Sequence, residues 1–314
     1  MEHNKLVFET FAQGKLLLSG EYFVLDGALA LALPVRFGQS LRVETWKEPA
    51  SLSWTSKNEE GVAWYLAEFA LPDLEVLTDT DRKISDNLRS ILIACQRQNP
   101  HFLDGETGLK VLTQNNFPRN WGLGTSSTLI AAVARWAEAN PYSVLFETMG
   151  GSGYDLACAY AEGPLLYRLE GQTPVVTPVV FDPPFAEHLY FVYLDKKQDS
   201  RAGILRYRNL GSGTAVKVAE VTDLTRQMLA AEDLEAFERV VIAHEQCIGA
   251  ALELPTAKSV YFSDYWGAVK SLGAWGGDFV LVTSARGEAE TRGYFLEKGY
   301  SVVLGFGDLR YPIT

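Results

Sequence analysis

A glycine-rich turn that runs directly into a helix is the feature that most restricts the fold of this chain. Residues 118–127 read P-R-N-W-G-L-G-T-S-S, and apolar residues between 129 and 136 then recur at helical spacing. Glycines let the backbone approach an anion, hydroxyl groups cap a helix or contact phosphate, and the helix N-terminus offers free N–H groups. The pattern predicts a phosphate-binding loop, although composition alone fits a plain glycine turn with Ser/Thr caps equally well.

Two better-known phosphate-binding motifs are missing. The motif G-x-x-x-x-G-K-[ST] does not occur, because Leu16 follows Gly14-Lys15 where the motif requires Ser or Thr. The dinucleotide fingerprint fails because Ser127 replaces its third glycine. The sequence therefore disfavours nucleotide binding by either of those two folds.

Short apolar runs between turn residues predict strands at the start of the chain, and longer periodic runs predict helices after them. The first half is predicted to contain strands at 6–8, 15–19, 29–34 and 40–44, with breaks at Gly20 and Asp26-Gly27, and helices around 88–95 and 129–136. In the second half we predict strands at 189–194, 279–283 and 301–305, helices at 215–230, 233–252 and near 263–271, and a glycine-rich turn at 273–277. This order predicts the α+β class.

The length of 314 residues suggests two domains at the usual size of roughly 150 residues each. The composition shifts to Gly, Pro and Thr after Tyr167, which is the best candidate for a junction. We therefore predict an N-terminal domain at 1–170 and a C-terminal domain at 171–314.

Charge and cysteine content exclude several functional classes. The 28 Lys and Arg residues face 39 Asp and Glu residues, and the net charge of −11 disfavours general binding to nucleic acid or to anionic membranes. The three cysteines lie far apart and no histidine pairs with them at metal-ligand spacing, so neither a disulfide framework nor a zinc site is supported. Because no signal peptide is recognisable and no apolar run approaches roughly 18 residues, we expect a cytoplasmic protein.

Four segments, in sequence order, resemble the signature motifs of the GHMP kinases, the family of galactokinase, homoserine kinase, mevalonate kinase and phosphomevalonate kinase. Residues 14–27 are similar to G-K-x-x-x-x-G-E-[HY]-x-V, and residues 118–127 are similar to P-x-x-x-G-L-G-S-S. Residues 151–157 resemble the S-G-x-D segment, and residues 271–277 resemble the G-A-G-G-G loop. The resemblance implies an N-terminal α+β lobe that carries the phosphate loop, a C-terminal ferredoxin-like α+β lobe, and Mg-ATP bound in a cleft between them.

The resemblance also implies a role for individual residues. Lys15 would neutralise charge at the transferred phosphoryl group or orient the acceptor, and Asp155 would accept or steer the acceptor's proton. Ser127 would contact Mg2+, and Glu147 is the nearest candidate for a carboxylate ligand, with a solvated helix carboxylate as the alternative. The ATP phosphates would be held by Gly122, Leu123, Gly124, Thr125, Ser126 and Ser127.

The acceptor implied by the resemblance is a small anion of the mevalonate pathway of isoprenoid biosynthesis, either mevalonate or phosphomevalonate. The G-E-Y at 20–22 and the G-S-G-Y-D-L-A at 151–157 resemble phosphomevalonate kinases more than sugar kinases, and the galactokinase sugar signature is absent. The loop at 196–201 resembles an acceptor-facing K-x-x-S-T loop, with an exposed basic loop as the alternative. The acceptor would be bound by Glu21, Tyr22, Lys196, Ser200, Gly273 and Ala274.

The sequence departs from the family pattern in residues 271–277, which we name the third glycine loop. Trp275 interrupts that loop, and its ring is expected to narrow or reshape the nucleotide side of the site.

Two other functions stay open, namely a GHMP kinase for another small alcohol and a catalytically silent ligand sensor with this fold. Diphosphomevalonate decarboxylase is disfavoured because it usually lacks the G-L-G and S-G-x-D pattern. We expect a monomer or homodimer, and we interpret His244 as a packing residue of its helix.

Overall fold

The structure is a computed structural model that describes residues 5–47, 50–105, 107–196, 200–209 and 214–310, without the side chains of residues 200, 201, 214 and 215. The chain forms two compact units. The first unit contains Met1–Gly14, Phe37–Arg119 and Leu123–Tyr160, and the second contains Lys15–Arg36, Asn120–Gly122 and Ala161–Thr314. The predicted boundary after residue 170 stays a prediction.

The elements follow one another in chain order as a strand-rich beginning and a mixed second half. Up to residue 160 they are β1 (Leu6–Ser19), a 3-10 turn (Phe23–Asp26), β2 (Ala30–Trp46), β3 (Ser51–Lys57), β4 (Ala63–Ala70), β5 (Glu75–Asp79), α1 (Arg82–Gln98), β6 (Gly108–Asn115), a 3-10 turn (Arg119–Trp121), α2 (Thr125–Trp136), α3 (Pro141–Thr148) and α4 (Tyr154–Tyr160). After it they are β7 (Leu165–Glu170), β8 (Thr173–Pro178), a 3-10 turn (Ala186–His188), β9 (Leu189–Tyr193), α5 (Ser200–Arg208), α6 (Thr214–Ala230), α7 (Leu234–Leu252), α8 (Ala257–Tyr261), β10 (Val269–Leu272), β11 (Phe279–Thr283), α9 (Glu288–Glu297), β12 (Val303–Gly305) and α10 (Phe306–Leu309).

The first unit packs helices on a sheet with strand order β5-β4-β3-β6-β2. β3 and β6 run parallel, with Leu52 opposite Leu109, and β6 pairs antiparallel with residues 39–46 of β2. Burial alternates along β3, so Leu52 and Trp54 face the core. The apolar face predicted for α1 is buried in the same core, since Leu88 and Ile91 lie there together with Val133 of α2. Helical periodicity therefore placed both helices correctly.

The second unit contains a short antiparallel sheet with strand order β10-β11-β9-β12. Phe262, Tyr265 and Phe295 form the centre of an apolar cluster packed on this sheet. Residues 30–32 of β2 pair antiparallel with β7, which forms a hairpin with β8 around Gly171. With both strands and helices in each unit, the α+β class is confirmed.

Two of the element predictions were wrong. The helix predicted near 263–271 does not form, because Val269 pairs with Val282 in the β10–β11 ladder and the helix of this region is α8. Gly267 helps to force this arrangement, since a methyl group built on it would overlap the backbone of Thr283. The four short strands predicted at the start are parts of the two long strands β1 and β2.

The two long strands contain glycines at positions where backbones approach one another closely. A methyl group on Gly14 would lie 2.7 Å from the carbonyl oxygen of Leu123, and one on Gly38 would overlap the carbonyl of Ala12. These glycines allow close packing of backbones and do not form turns. The predicted breaks at Gly20 and Gly27 are confirmed, with φ angles of 91° and 86°. No helix in the described part of the chain is long and apolar enough to cross a bilayer.

Candidate active site

The glycine-rich turn leads into α2 in the manner expected of an anion site. Gly124 is the N-cap of the helix and has a left-handed backbone, with φ of 94°. Because glycine has no side chain, the cap residue supplies no acceptor for the first N–H groups of the helix. The side chain of Ser126 is exposed and those of Thr125 and Ser127 are half-buried. Free N–H groups, hydroxyl side chains and the positive end of the helix dipole together fit the phosphates of a nucleotide.

Contacts within the first unit fix the position of this turn. Leu123 is fully buried, and its carbonyl oxygen lies against Gly14. The hydroxyl of Thr128 lies within hydrogen-bonding distance of the carbonyl oxygen of Thr125, at 2.9 Å, and of Oε1 of Gln39, at 3.1 Å. The buried Thr128 therefore stabilises the first turn of α2 from the protein interior.

The second unit holds Gly122 and Lys15 together. Lys15 lies near the end of β1 with its side chain 9% exposed, and its Nζ donates to the carbonyl oxygen of Gly122 at 3.1 Å. Gly122 has φ of 67°, and a methyl group on it would overlap the carboxylate of Asp278. Only glycine combines this backbone conformation with so close an approach. Lys15 therefore places a buried cation on the first glycine of the predicted phosphate loop.

The residues before Gly122 are attached to the short sheet of the second unit. The hydroxyl of Tyr193 donates to the carbonyl oxygen of Asn120 at 2.9 Å. The ring of Trp121 packs edge-on against Phe279, with 5.7 Å between ring centroids. Burial raises the pKa of Tyr193 to about 12, so its hydroxyl keeps its proton at neutral pH and remains a donor.

The turn at residues 20–22 contains two residues that were predicted to bind the acceptor, Glu21 and Tyr22, and their side chains lie in different surroundings. Glu21 is fully buried and forms an ion pair with Lys270. Tyr22 has φ of 60°, and its hydroxyl accepts a hydrogen bond from the backbone N–H of Trp275 at 2.8 Å. Burial raises the pKa of Tyr22, so it stays neutral. Tyr22 is thus tied to the third glycine loop, whereas Glu21 belongs to the interior.

The third glycine loop follows β10 and lies beside Lys15 within the second unit. A methyl group on Gly273 would be 3.9 Å from Nζ of Lys15, and Ala274 is buried. The indole N–H of Trp275 donates to the carbonyl oxygen of Pro255 at 3.0 Å. Its ring lies against Gly249 of α7, where an added methyl group would come within 3.2 Å of it. The bulky residue in this loop is therefore anchored by packing on α7.

Lys196 is an exposed cation that contacts the same loop. Its backbone carbonyl accepts from the N–H of Asp278 at 2.9 Å, and its Nζ lies 4.5 Å from the ring centroid of Tyr261. Of the rest of the predicted acceptor loop, residues 197–199 and the side chain of Ser200 lie outside the described residues. Ser200 is the first residue of α5.

The predicted acidic residues lie on α3 and α4 of the first unit. Asp155 is half-buried in the first turn of α4, which begins directly after the buried Ser152 and Gly153, whose φ is 87°. Glu147 on α3 is 42% exposed and forms an ion pair with Arg97. The described residues contain no cluster of three or more His, Cys, Asp or Glu suited to a metal. Mg2+ generally takes only one or two protein ligands and fills its shell with phosphate oxygens and water.

Sequence reasoning missed the residues that act over long distances in the chain. Lys270 is fully buried against Glu21, and Asp278 lies against Gly122. Both residues flank the third glycine loop, which the sequence motifs identified. The residues that they contact could not be identified from the sequence. His244 is fully buried on α7, as interpreted from the sequence, and it accepts a hydrogen bond from the N–H of Gly20.

No protein-family model matches the sequence, and a comparison with curated proteins also finds no match. Solved structures do match over nearly the whole chain. Phosphomevalonate kinase of Streptococcus pneumoniae, in complex with phosphomevalonate and AMPPNP, has a TM-score of 0.70 at 14% identity and covers 94% of this chain and 98% of its own. Mevalonate kinase of L. major, in complex with R-mevalonate, has a TM-score of 0.66 at 16% identity over 93% and 91%.

Lactococcus lactis galactokinase in complex with galactose is similar to the same extent, with a TM-score of 0.66 at 12% identity over 92% of this chain and 88% of its own. The chain therefore has the fold of the GHMP kinases, as the sequence motifs predicted. Phosphomevalonate, R-mevalonate and galactose are each bound by one of these three proteins, so the shared fold leaves the acceptor open.

Proposed function

We propose that this protein is an ATP-dependent kinase of the GHMP type that phosphorylates mevalonate or phosphomevalonate. The observation that carries the proposal is the turn before α2, where a helix N-terminus without a side-chain cap follows Gly122 and the buried Lys15 donates to the carbonyl oxygen of Gly122. An anion-binding turn with a fixed cation is what phosphoryl transfer needs, because that reaction depends mainly on positioning and electrostatic stabilisation.

Individual residues have definite roles in the proposed reaction. The N–H groups and hydroxyls of Thr125–Ser127 would bind the ATP phosphates, and Lys15 would stabilise negative charge on the transferred group. Asp155 would take the proton of the attacking hydroxyl group. Ser127 is the proposed protein ligand of Mg2+, an ion that neutralises phosphate charge when bound. Glu147 remains a second proposed ligand, although it would have to exchange its ion pair with Arg97 for the metal.

The proposed acceptor is anionic, and Lys196 is the described cation best placed to attract it. Its side chain is exposed while its backbone is fixed to Asp278 at the third glycine loop. In a chain with a net charge of −11, such a local cation is needed to bind an anion against the overall field. We also propose a cytoplasmic monomer or homodimer without nucleic-acid or membrane partners.

An acceptor panel tests the proposed function directly. Purified protein is incubated with ATP, Mg2+ and either mevalonate, phosphomevalonate, galactose, homoserine or no acceptor, and products are identified by mass spectrometry. Phosphorylated or diphosphorylated mevalonate supports the proposal, whereas phosphorylation of another alcohol alone replaces it with the alternative kinase. Nucleotide binding in calorimetry without any turnover would identify a silent sensor instead.

Gly122→Ala is expected to weaken nucleotide binding by about tenfold or more, because left-handed alanine costs about 1–2 kcal/mol and the methyl group displaces the Asp278 carboxylate. Gly171→Ala is the matched control, since Gly171 has φ of 64° and open space around it. It should lose similar stability without any loss of affinity. Calorimetric titration with a non-hydrolysable ATP analogue measures both variants, and equal affinities would contradict the assignment of the loop.

A further inference from the structure

We infer that Glu21, Lys270 and His244 are positioning residues that hold the turn at 20–22 and the third glycine loop in one fixed arrangement. The inference rests on the proposed function, because the residues it positions are the proposed catalytic Lys15 and the proposed acceptor contact Tyr22. It also gives Glu21 a role other than direct acceptor binding. All of these residues belong to the second unit.

The centre of the arrangement is a buried ion pair. The side chains of Glu21 and Lys270 are both fully buried, and Nζ of Lys270 donates to Oε1 of Glu21. The same Nζ donates to the carbonyl oxygen of Ser271 at 2.8 Å. One cation thus binds the turn after β1 and the backbone at the end of β10.

His244 of α7 makes a second contact with the turn at residues 20–22. Its Nε2 accepts a hydrogen bond from the N–H of Gly20 at 3.1 Å and lies 3.6 Å from Oε2 of Glu21. Because Nε2 is an acceptor, the ring is neutral with its proton on Nδ1. Burial, together with the charge of Lys270, holds the pKa of His244 well below its usual value, so the ring stays neutral.

Glu245, the next residue of α7, binds Ser271 at the end of β10. Its Oε2 accepts from the N–H of Ser271 at 3.0 Å, and its Oε1 accepts from the hydroxyl of Ser271 at 3.0 Å. Two successive residues of one helix therefore fix two separate segments, Gly20 through His244 and Ser271 through Glu245. The relative position of β1 and β10 is set by α7 and by the ion pair between them.

The segments fixed in this way carry the proposed functional groups at their ends. Lys15 lies on β1, which ends directly before Gly20, and its Nζ lies close to Gly273, which follows β10. Tyr22 follows Glu21 directly, and its hydroxyl is bound to the backbone N–H of Trp275. A shift of either segment would therefore move Lys15 or Tyr22, and a misplacement of about 1 Å can cost a hundredfold in rate.

The cost of the ion pair indicates that it does more than stabilise the fold. Two charges removed from water lose their hydration, and apolar residues of similar volume are often as stabilising as such a pair. Removal of one partner is strongly destabilising, because it leaves the other charge buried without compensation. The pair differs from apolar packing in that it fixes direction, since Lys270 binds Glu21 and Ser271 at once.

The test compares Lys270→Met, Glu21→Gln and the double variant, which removes both charges at nearly constant volume. The double variant should melt close to wild type, yet its kcat with the best acceptor should stay about a hundredfold low, while KM for ATP changes little. Lys298→Met is the control, because Lys298 pairs with Asp264 at 3.1 Å in an exposed position and should leave both stability and kcat unchanged.

A double variant that regains both its melting temperature and its kcat would show that the pair only maintains stability, and would overturn the inference. Hydrogen exchange supplies a readout that does not depend on activity. Faster exchange confined to peptides around residues 20–27 and 271–277 of the double variant supports the inference, and unchanged exchange there contradicts it. If wild-type protein phosphorylates no acceptor, the proposed function fails, while the exchange comparison still decides whether the pair holds the two segments.

Discussion

Asp155→Asn is expected to lower kcat with mevalonate by about 10²- to 10⁴-fold, because an alcohol must lose its proton as it attacks and asparagine cannot accept it. Asp155 is half-buried in the first turn of α4. Asparagine has nearly the same shape and also suits the start of a helix, so the fold should be preserved. Steady-state kinetics with ATP held at saturation measure the loss.

The size of the loss should depend on the acceptor. The phosphate of phosphomevalonate is already anionic near neutral pH, so it needs a base much less than an alcohol does. Transfer to phosphomevalonate by the Asp155→Asn variant should therefore fall by a smaller factor than transfer to mevalonate. The same variant thus reports on the base and on the type of acceptor.

Asp81→Asn provides the matched control for a purely structural role. Asp81 is the N-cap of α1 and accepts a hydrogen bond from the N–H of Ile84 at 3.1 Å. If Asp155 serves only the start of its helix, the two variants should show the same small change in melting temperature and no specific loss of kcat. That pattern, with either acceptor, would rule out Asp155 as the base.

The sequence predicted those parts of the fold that depend on local periodicity. The apolar faces of α1 and α2, the long helix α7 and the strand β11 all lie where spacing placed them. Errors arose where a contact between distant residues decides local structure. Gly267 is an example. Its close contact with the backbone of Thr283 favours a sheet in this region, and the local sequence around residue 267 does not reveal that contact.

In the candidate site, too, local features could be predicted from the sequence and contacts between distant residues could not. The turn before α2 could be predicted, because glycines, hydroxyl residues and a helix follow one another within ten positions. The partners of Glu21 could not be predicted, since Lys270 and His244 lie more than two hundred residues away and each looks like an ordinary residue of its own element. The close approach of the Asp278 carboxylate to Gly122 could not be predicted either, because nothing in the sequence around Gly122 indicates which distant residue contacts it.

Lys15→Met is expected to reduce kcat by about 10²- to 10³-fold, the usual effect of removing one donor that stabilises developing charge. The buried ammonium group donates to the carbonyl oxygen of Gly122 at 3.1 Å and therefore sits on the predicted phosphate loop. Methionine fills a similar volume without the charge, so packing around the end of β1 should persist. Single-turnover kinetics with radiolabelled ATP separate the chemical step from binding.

Lys258→Met is the control for the loss of a lysine that binds a backbone carbonyl. Lys258 donates to the carbonyl oxygen of Gly267 in the second unit, at 2.6 Å, away from the predicted phosphate loop. Both variants lose one cation and one hydrogen bond of the same type, so any common effect on stability cancels in the comparison. Because the control keeps the charge at Gly122, its rate should match wild type, and an equal rate in Lys15→Met would show that the cation takes no part in transfer.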